Sequence, residues 1–194
     1  MKKEIDMELI ESSIRNILIA LGDDPSREGI LETPKRVAKM YAEVFEGMKY
    51  TNSEIAKMFG KTFSVDTDEI IIEKNIPTFS YCEHHLALIY NMNVSIAYKP
   101  NGNVIGLSKI VRIVDMVSKR LQLQEKLTKD IAEILIEACK TDSVAVLVSG
   151  EHSCMTTRGI KRNGEKTITT FYTGEFKNNI ELKKEFLQII KMGN

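Results

Sequence analysis

The stretch Cys82-Glu83-His84-His85-Leu86-Ala87-Leu88-Ile89-Tyr90-Asn91-Met92-Asn93-Val94-Ser95-Ile96-Ala97-Tyr98 decides how the rest of the chain is read. Its second part alternates. Leu88, Tyr90, Met92, Val94, Ile96 and Tyr98 are separated by mostly smaller or polar residues, the period of a long half-buried strand. Pro100-Asn101-Gly102-Asn103 is a turn signal, and Val104 to Leu107 reads as the returning partner strand. Upstream, the isoleucine-rich run Glu69 to Ile76 reads as another strand. Downstream come two helices. Ser108 is the candidate cap of the first, which places Ile110, Ile113, Val114, Val117 and Leu121 on one face. The second carries Leu127, Ile131, Ile134, Leu135 and Ala138. Val144 to Val148 and Thr167 to Thr173 are strands rich in β-branched residues. A last amphipathic helix spans about residues 180–191 by its apolar spacing. Strand, strand, two helices, strand, strand implies an α+β fold, an antiparallel β-sheet with two helices packed on one face. The other face and the sheet edges are left for subunit contacts, so a homo-oligomer is expected.

Residues 1–62 read as an N-terminal helical extension, and 63–194 as the core with its C-terminal helix. Ile10, Ile14, Ile17, Leu18 and Leu21 make one helical stripe, broken at Gly22-Asp23-Asp24-Pro25. A second helix opens at Thr33-Pro34, a capping residue before proline. It buries Val37, Met40, Tyr41, Val44 and Phe45 and ends near Gly47. A short helix is expected from Ser53 to Phe59. Apolar residues are 43% of 194, enough for a core, and 27 basic residues balance 27 acidic ones. A dedicated nucleic-acid binder would carry a basic excess, so no nucleic-acid partner is expected. No apolar run approaches the ~20 residues that span a bilayer. The start, Met1-Lys2-Lys3-Glu4-Ile5-Asp6, lacks the apolar run of a signal peptide. A cytoplasmic protein without a membrane partner is the expectation.

The chain has three cysteines and three histidines. Each histidine lies within three residues of a cysteine. Cys82-Glu83-His84-His85 precedes the long strand, and Glu151-His152-Ser153-Cys154 follows the Val144 strand. Cys82 and His85 are three apart, which suits two ligands on one tight turn. Cys154 lies 69 residues beyond His85 and can supply a third from a neighbouring strand end. Two thiolates and one imidazole make a catalytic kind of zinc set, with a fourth position for water. A closed structural site would recruit His84 or His152 as well, and spacing alone leaves open which histidine binds. A thiolate nucleophile paired with a histidine is the chemical rival. Cys139, on an apolar helix face, reads as packing.

No P-loop or dinucleotide fingerprint is present, so a phosphate-bearing substrate needs another cradle. Ser108, Lys109 and Arg112 stand at a predicted helix start, where anions are favoured. Lys109 and Arg112 share a face, and Arg158 follows the second cluster by four residues. These cations could converge on a triphosphate or be ordinary solvated charges. The Glu125 carboxylate in Gln124-Glu125 can accept from a guanine edge.

Taken together, these segments resemble GTP cyclohydrolase I, over roughly residues 22–176. The matching runs are residues 32–41 (Glu-Thr-Pro-Lys-Arg-Val-Ala-Lys-Met-Tyr), Cys82-Glu83-His84-His85-Leu86, Gly106-Leu107-Ser108-Lys109, Arg112-Ile113-Val114, Arg120-Leu121-Gln122, Gln124-Glu125, Leu127-Thr128, His152-Ser153-Cys154-Met155 and Arg158-Gly159. The resemblance implies a tunnelling fold assembled as a homodecamer of two stacked pentamers, with active sites between subunits. It implies Cys82, His85 and Cys154 as zinc ligands and His152 as the proton donor to purine N7. His84 becomes a second catalytic histidine near the ribose. Gln124 and Glu125 become the guanine-recognition pair, and Ser108, Lys109, Arg112 and Arg158 the ribose and triphosphate contacts. The implied reaction is zinc-dependent hydrolysis of GTP at C8, release of formate, and rearrangement to 7,8-dihydroneopterin triphosphate, which opens tetrahydrofolate and pterin synthesis. Ala87-Leu88-Ile89, Ser153 and the Thr169-Thr170-Phe171 segment depart from the usual family pattern.

Overall fold

In the computed structural model the chain begins with α1 (Met7–Ala20), α2 (Thr33–Val44), a 3-10 turn (Glu46–Lys49), α3 (Asn52–Phe59) and β1 (Thr62–Ser64). It continues through β2 (Ile71–Cys82), β3 (Ala87–Tyr98), β4 (Asn103–Ile105), α4 (Leu107–Ser118), β5 (Leu121–Gln122) and α5 (Gln124–Cys139). β6 (Val144–His152), α6 (Ser153–Thr156), β7 (Thr167–Tyr172), α7 (Gly174–Asn178) and α8 (Ile180–Lys191) complete it. The structure describes residues 4–162 and 164–192. Met1, Lys2 and Lys3, part of the start read above for a signal peptide, lie outside the described residues, as do Asn163, Gly193 and Asn194 of the expected core segment.

Five strands form one sheet in the order β5-β2-β3-β6-β7. Its pairings are antiparallel except for the short parallel contact of β5 with the end of β2, which the sequence reading did not anticipate. Nor does the Val104 segment return on β3. β4 pairs instead with β1, as Thr62↔Ile105 to Ser64↔Asn103. The partner of β3 is β2, and the hairpin connection between them is the Glu83–Leu86 turn. One long hairpin therefore carries the Cys-x-x-His segment at its tip.

The sheet buries both faces over part of its length. Ile96, Tyr98, Val144, Val146 and Val148 turn towards Ile113, Val117, Leu127, Ile131 and Ile134 of α4 and α5. Side chains of this type contribute ~1.5–3 kcal/mol each when fully buried. On the opposite face Ala97 and Ala145 leave room for Phe176 and Phe186 of α7 and α8. The expectation of an open second face is corrected there by the C-terminal helix. The alternation of β3 also needs correction at its start. Ile89 is fully buried while Leu88 is exposed. The cause is a register shift between Tyr90 and Asn93, with Asn91 at φ 49°. One extra residue in a strand moves everything beyond it to the other face.

The helix starts differ in detail from expectation. α4 is capped by the Gly106 backbone, and Ser108 lies inside the helix. Thr33 is likewise the first residue of α2, behind Glu32. α3 has a complete capping box between Thr51 and Glu54, and it sends Ile55 and Ala56 into the main core. Gly47 lies in the 3-10 turn against the end of α4, where an added Cβ would fall 2.0 Å from the Met116 carbonyl oxygen. Only glycine permits that approach. Arg120, 8% exposed, locks the junction. It donates to the carbonyls of Gly47 and Tyr50, to Asn52 Oδ1 and to Asp130 Oδ2. No described helix is long and apolar enough to cross a membrane.

Candidate active site

Strand pairing explains why residues so far apart in sequence meet. At the start of β3, Ala87 pairs with Cys82 on one side, and Ile89 pairs with His152 on the other. β2 and β6 thus deliver their ends to the same end of the sheet. After Cys82 the chain turns tightly, with the Leu86 amide donating to the Cys82 carbonyl at 2.9 Å. Leu86 sits at φ 52°. The Glu83 amide donates to Gln122 O at 3.1 Å, which ties the turn to β5. After His152 the chain enters α6, which presents Cys154. Tyr90 Oη donates to Thr156 Oγ1 at 3.1 Å and pins this short helix to β3.

The ligand atoms of Cys82, His85 and Cys154 all lie within 4.8 Å of one another. Zinc–sulfur bonds of ~2.3 Å and zinc–nitrogen bonds of ~2.0–2.1 Å at tetrahedral angles require edges of roughly 3.6–3.8 Å. The Cys82 Sγ to His85 Nδ1 separation is 3.9 Å. The donor set therefore fits a zinc-sized, thiophilic cation with small adjustments. Burial pushes the Cys154 thiol up, the adjacent Cys82 thiol adds to the shift, and Arg158 opposes it. Such a shift runs against a free thiolate nucleophile, whereas a divalent cation between the sulfurs would reverse it.

His152 is half-buried beside this cluster. Burial holds its imidazole below the usual range, while the Glu125 carboxylate pulls the other way. Glu125 is exposed, but its neighbour Gln124 is only 2% exposed. Gln124 Nε2 donates to Val148 O at 3.1 Å, Thr167 O at 3.0 Å and Thr169 Oγ1 at 3.3 Å. Its Oε1 lies 3.0 Å from His152 Nε2. The amide nitrogen is fully engaged by the protein, and one contact of the amide oxygen goes to His152.

His84 is exposed on the turn, its ring 6.2 Å from that of His85 in an edge arrangement. Arg158 is exposed and within electrostatic reach of Cys154. Ser108 and Arg112 are exposed and Lys109 half-buried on the first turns of α4. Among the described residues, none of these three side chains is hydrogen-bonded or ion-paired to the cysteine–histidine cluster. The sequence reading missed Asn91, whose amide donates to Glu151 Oε1 at 3.1 Å across the β3 bulge. It also missed Thr128 and Thr169, whose hydroxyls meet at 2.7 Å beneath Gln124. An asparagine inside an alternating strand was the available signal for the first, since asparagine tolerates positive φ.

Residues 10–191 match the family model of GTP cyclohydrolase I. The chain belongs to the GTP cyclohydrolase I family. It is 56% identical over 192 residues to GTP cyclohydrolase 1 of Clostridium acetobutylicum, covering 96% of this chain and 98% of that one. It is 55% identical over 197 residues to GTP cyclohydrolase 1 of Clostridium beijerinckii, covering 98% and 100%. Among solved structures, the archaeosine synthase QueF-Like in the apo form aligns at 22% identity with a TM-score of 0.45. That alignment covers 56% of this chain and 97% of the other, a likeness too loose to carry an argument. For a GTP cyclohydrolase I family member, the departures noted in the sequence take structural roles. Ala87 is the strand partner of Cys82, Ile89 is buried, and Ser153 O accepts from the Thr157 hydroxyl. Thr169 joins the network under Gln124.

Proposed function

We propose that this protein is a zinc-dependent GTP cyclohydrolase I, hydrolysing GTP at C8 of the guanine ring. The supporting observation is the convergence of Cys82, His85 and Cys154 within 4.8 Å, with His152 on the adjoining strand end. A zinc ion held by these three residues supplies a Lewis acid and a water activated near neutral pH.

The chain's own residues do the rest. His152 gives a proton to purine N7 as water adds at C8, general acid catalysis by an imidazole. Glu125 accepts hydrogen bonds from the guanine N1–H and 2-amino groups. Lys109, Arg112 and Arg158 hold the triphosphate, and the Ser108 hydroxyl meets the ribose. His84 serves as the second acid–base group near the sugar. The C8–N9 bond breaks to leave a formamide, and a second hydrolysis releases formate. The ribose then rearranges by an Amadori-type step and closes to 7,8-dihydroneopterin triphosphate, the entry to tetrahydrofolate and pterin synthesis.

The assembly proposed is a homodecamer of two stacked pentamers in the cytoplasm, with active sites between subunits. Two features favour it. α1 has no buried residue in the single chain, and Leu9, Ile17 and Ile19 of this helix are exposed. Among the described residues, Lys109 and Arg112 have no hydrogen bond or ion pair to the cluster within one chain, as expected of cations that serve a neighbour's site. Incubation with GTP, with and without a chelator, tests the activity. Dihydroneopterin triphosphate and formate should appear only in the metal-replete sample. Binding of GTP without formate release would refute the proposal.

A further inference from the structure

Two carbonyl oxygens and one threonine hydroxyl surround the Gln124 amide nitrogen. The carbonyls of Val148 and Thr167 both accept from Nε2, at 3.1 and 3.0 Å. An amide turned the other way would set its oxygen against two carbonyl oxygens that have no hydrogen to give. The orientation of Gln124 is therefore set by β6 and β7, and Oε1 must face His152. At 3.0 Å from Oε1, Nε2 of His152 can only be a donor, because an amide oxygen accepts. This holds whether the ring is neutral or charged, since Nε2 bears hydrogen in both cases. His152 Nδ1 has no hydrogen-bond partner among the described residues. Gly150 lies beside this amide: a Cβ there would crowd Met92 Cγ at 2.9 Å and touch Oε1 at 3.4 Å. The network continues below, where Thr128 Oγ1 donates to Gln124 O at 2.6 Å and meets Thr169 Oγ1 at 2.7 Å.

We propose that Gln124 is a positioning residue for His152: it fixes the ring with hydrogen on Nε2 and leaves Nδ1 as the atom that exchanges a proton with the substrate. Gln124 then acts through the histidine and does not read the guanine edge, which falls to Glu125. The inference rests on the function proposed above in assigning the substrate, but the ring state it specifies can be read without any turnover. A histidine held in one tautomer by a second-sphere partner is a recurrent way of tuning proton transfer.

The test begins with the unaltered, zinc-loaded protein labelled with 15N-histidine. Solid-state NMR is recorded about two units above the ordinary histidine pKa of ~6.5, where a neutral ring is seen. His84→Gln and His152→Gln samples assign the three histidine signals. His152 should show hydrogen on Nε2 and a bare Nδ1; a ring with hydrogen on Nδ1 would overturn the proposal. Gln124→Met removes the acceptor at similar volume. It should give a mixed tautomer population and lower kcat by roughly tenfold or more, part of the usual general-acid contribution, with KM for GTP changed less than threefold. Discrimination between GTP and ITP, which lacks the 2-amino group, should be unchanged. A selective rise in KM for GTP and loss of that discrimination would instead make Gln124 a guanine contact and overturn the proposal. If Gln124→Met does not fold, the tautomer in the unaltered protein still decides. If the unaltered protein shows the Nε2–H ring but makes no dihydroneopterin triphosphate, the functional reading fails and the positioning role stands.

Discussion

Cys154 and His152 are two residues apart, yet the geometry assigns them separable tasks. Cys154 lies among the ligand atoms, whereas His152 Nε2 is committed to Gln124. Cys154→Ala should therefore lose both zinc and turnover. His152→Ala should keep about one zinc per chain and lose activity by roughly 10²–10⁴-fold, the range of a general acid. Metal analysis of the purified variants alongside product formation checks both. Full activity in either variant, or zinc loss in His152→Ala, would contradict the assignment. At this scale spacing was informative about ligand types and left open which histidine binds, a choice that only the family resemblance made. His84, His85 and His152 have similar spacing to a cysteine, and in the fold His85 lies with Cys82 and Cys154 while His152 meets Gln124. The burial of Gln124 was not legible for a physical reason: a side chain in a Gln-Glu pair at a helix start gives no sign of whether it is buried.

The elements meet the site through two junctions. One is the β2–β3 hairpin, whose tip was visible as a Cys-x-x-His run but whose partner strand was not. The turn signal at Pro100–Asn103 is real, yet β4 leaves the main sheet to pair with β1. Local turn chemistry does not specify which strand the chain returns to. The bulge at Asn91 was equally hidden, because strict alternation through Leu88 and Tyr90 looks regular in sequence while the backbone shifts face. The long periodic helices α4, α5 and α8 were legible, since each has a broad apolar stripe to bury. The second junction is Arg120, which joins the 3-10 turn, α3 and α5 through four acceptors. Losing Arg120 would strip a donor from four acceptors, although Lys126 Nζ stays 3.2 Å from Asp130 Oδ2, and a buried acceptor left unpaired costs ~1–3 kcal/mol. Arg120→Ala should lower the unfolding free energy by ~2–3 kcal/mol, read as a drop in the denaturant midpoint with the slope unchanged. A loss below about 1 kcal/mol would place the pair among weakly contributing surface bridges.

For the molecule as a whole, two acids buried in the main core tie its stability to pH. Burial pushes Tyr98 from 10.0 up to about 12, with the Ile105 amide donating to its oxygen at 3.2 Å. Burial likewise pushes Cys139 from 9.0 up to about 12. Folding favours the protonated form of each. Their contribution is therefore complete below pH 9.0 and lost progressively as pH rises towards about 12. Denaturation midpoints should decline across that window, and Cys139→Ala should make the decline shallower than in the unaltered protein. A midpoint flat to pH 12 would contradict the burial of both groups. Oligomer contacts were suggested in the sequence by a sheet face and edges left free, and by the family resemblance. α8 covers part of that face, with Phe186 packed against Ala97 and Ala145. What the fold achieves overall is to bring the ends of β2 and β6 together across β3. X-ray absorption at the zinc edge of the metal-loaded protein tests this most directly. It should resolve two sulfurs at ~2.3 Å, one histidine nitrogen at ~2.0–2.1 Å and one further light atom; a shell with a single sulfur, or with a second histidine closing the site, would contradict it.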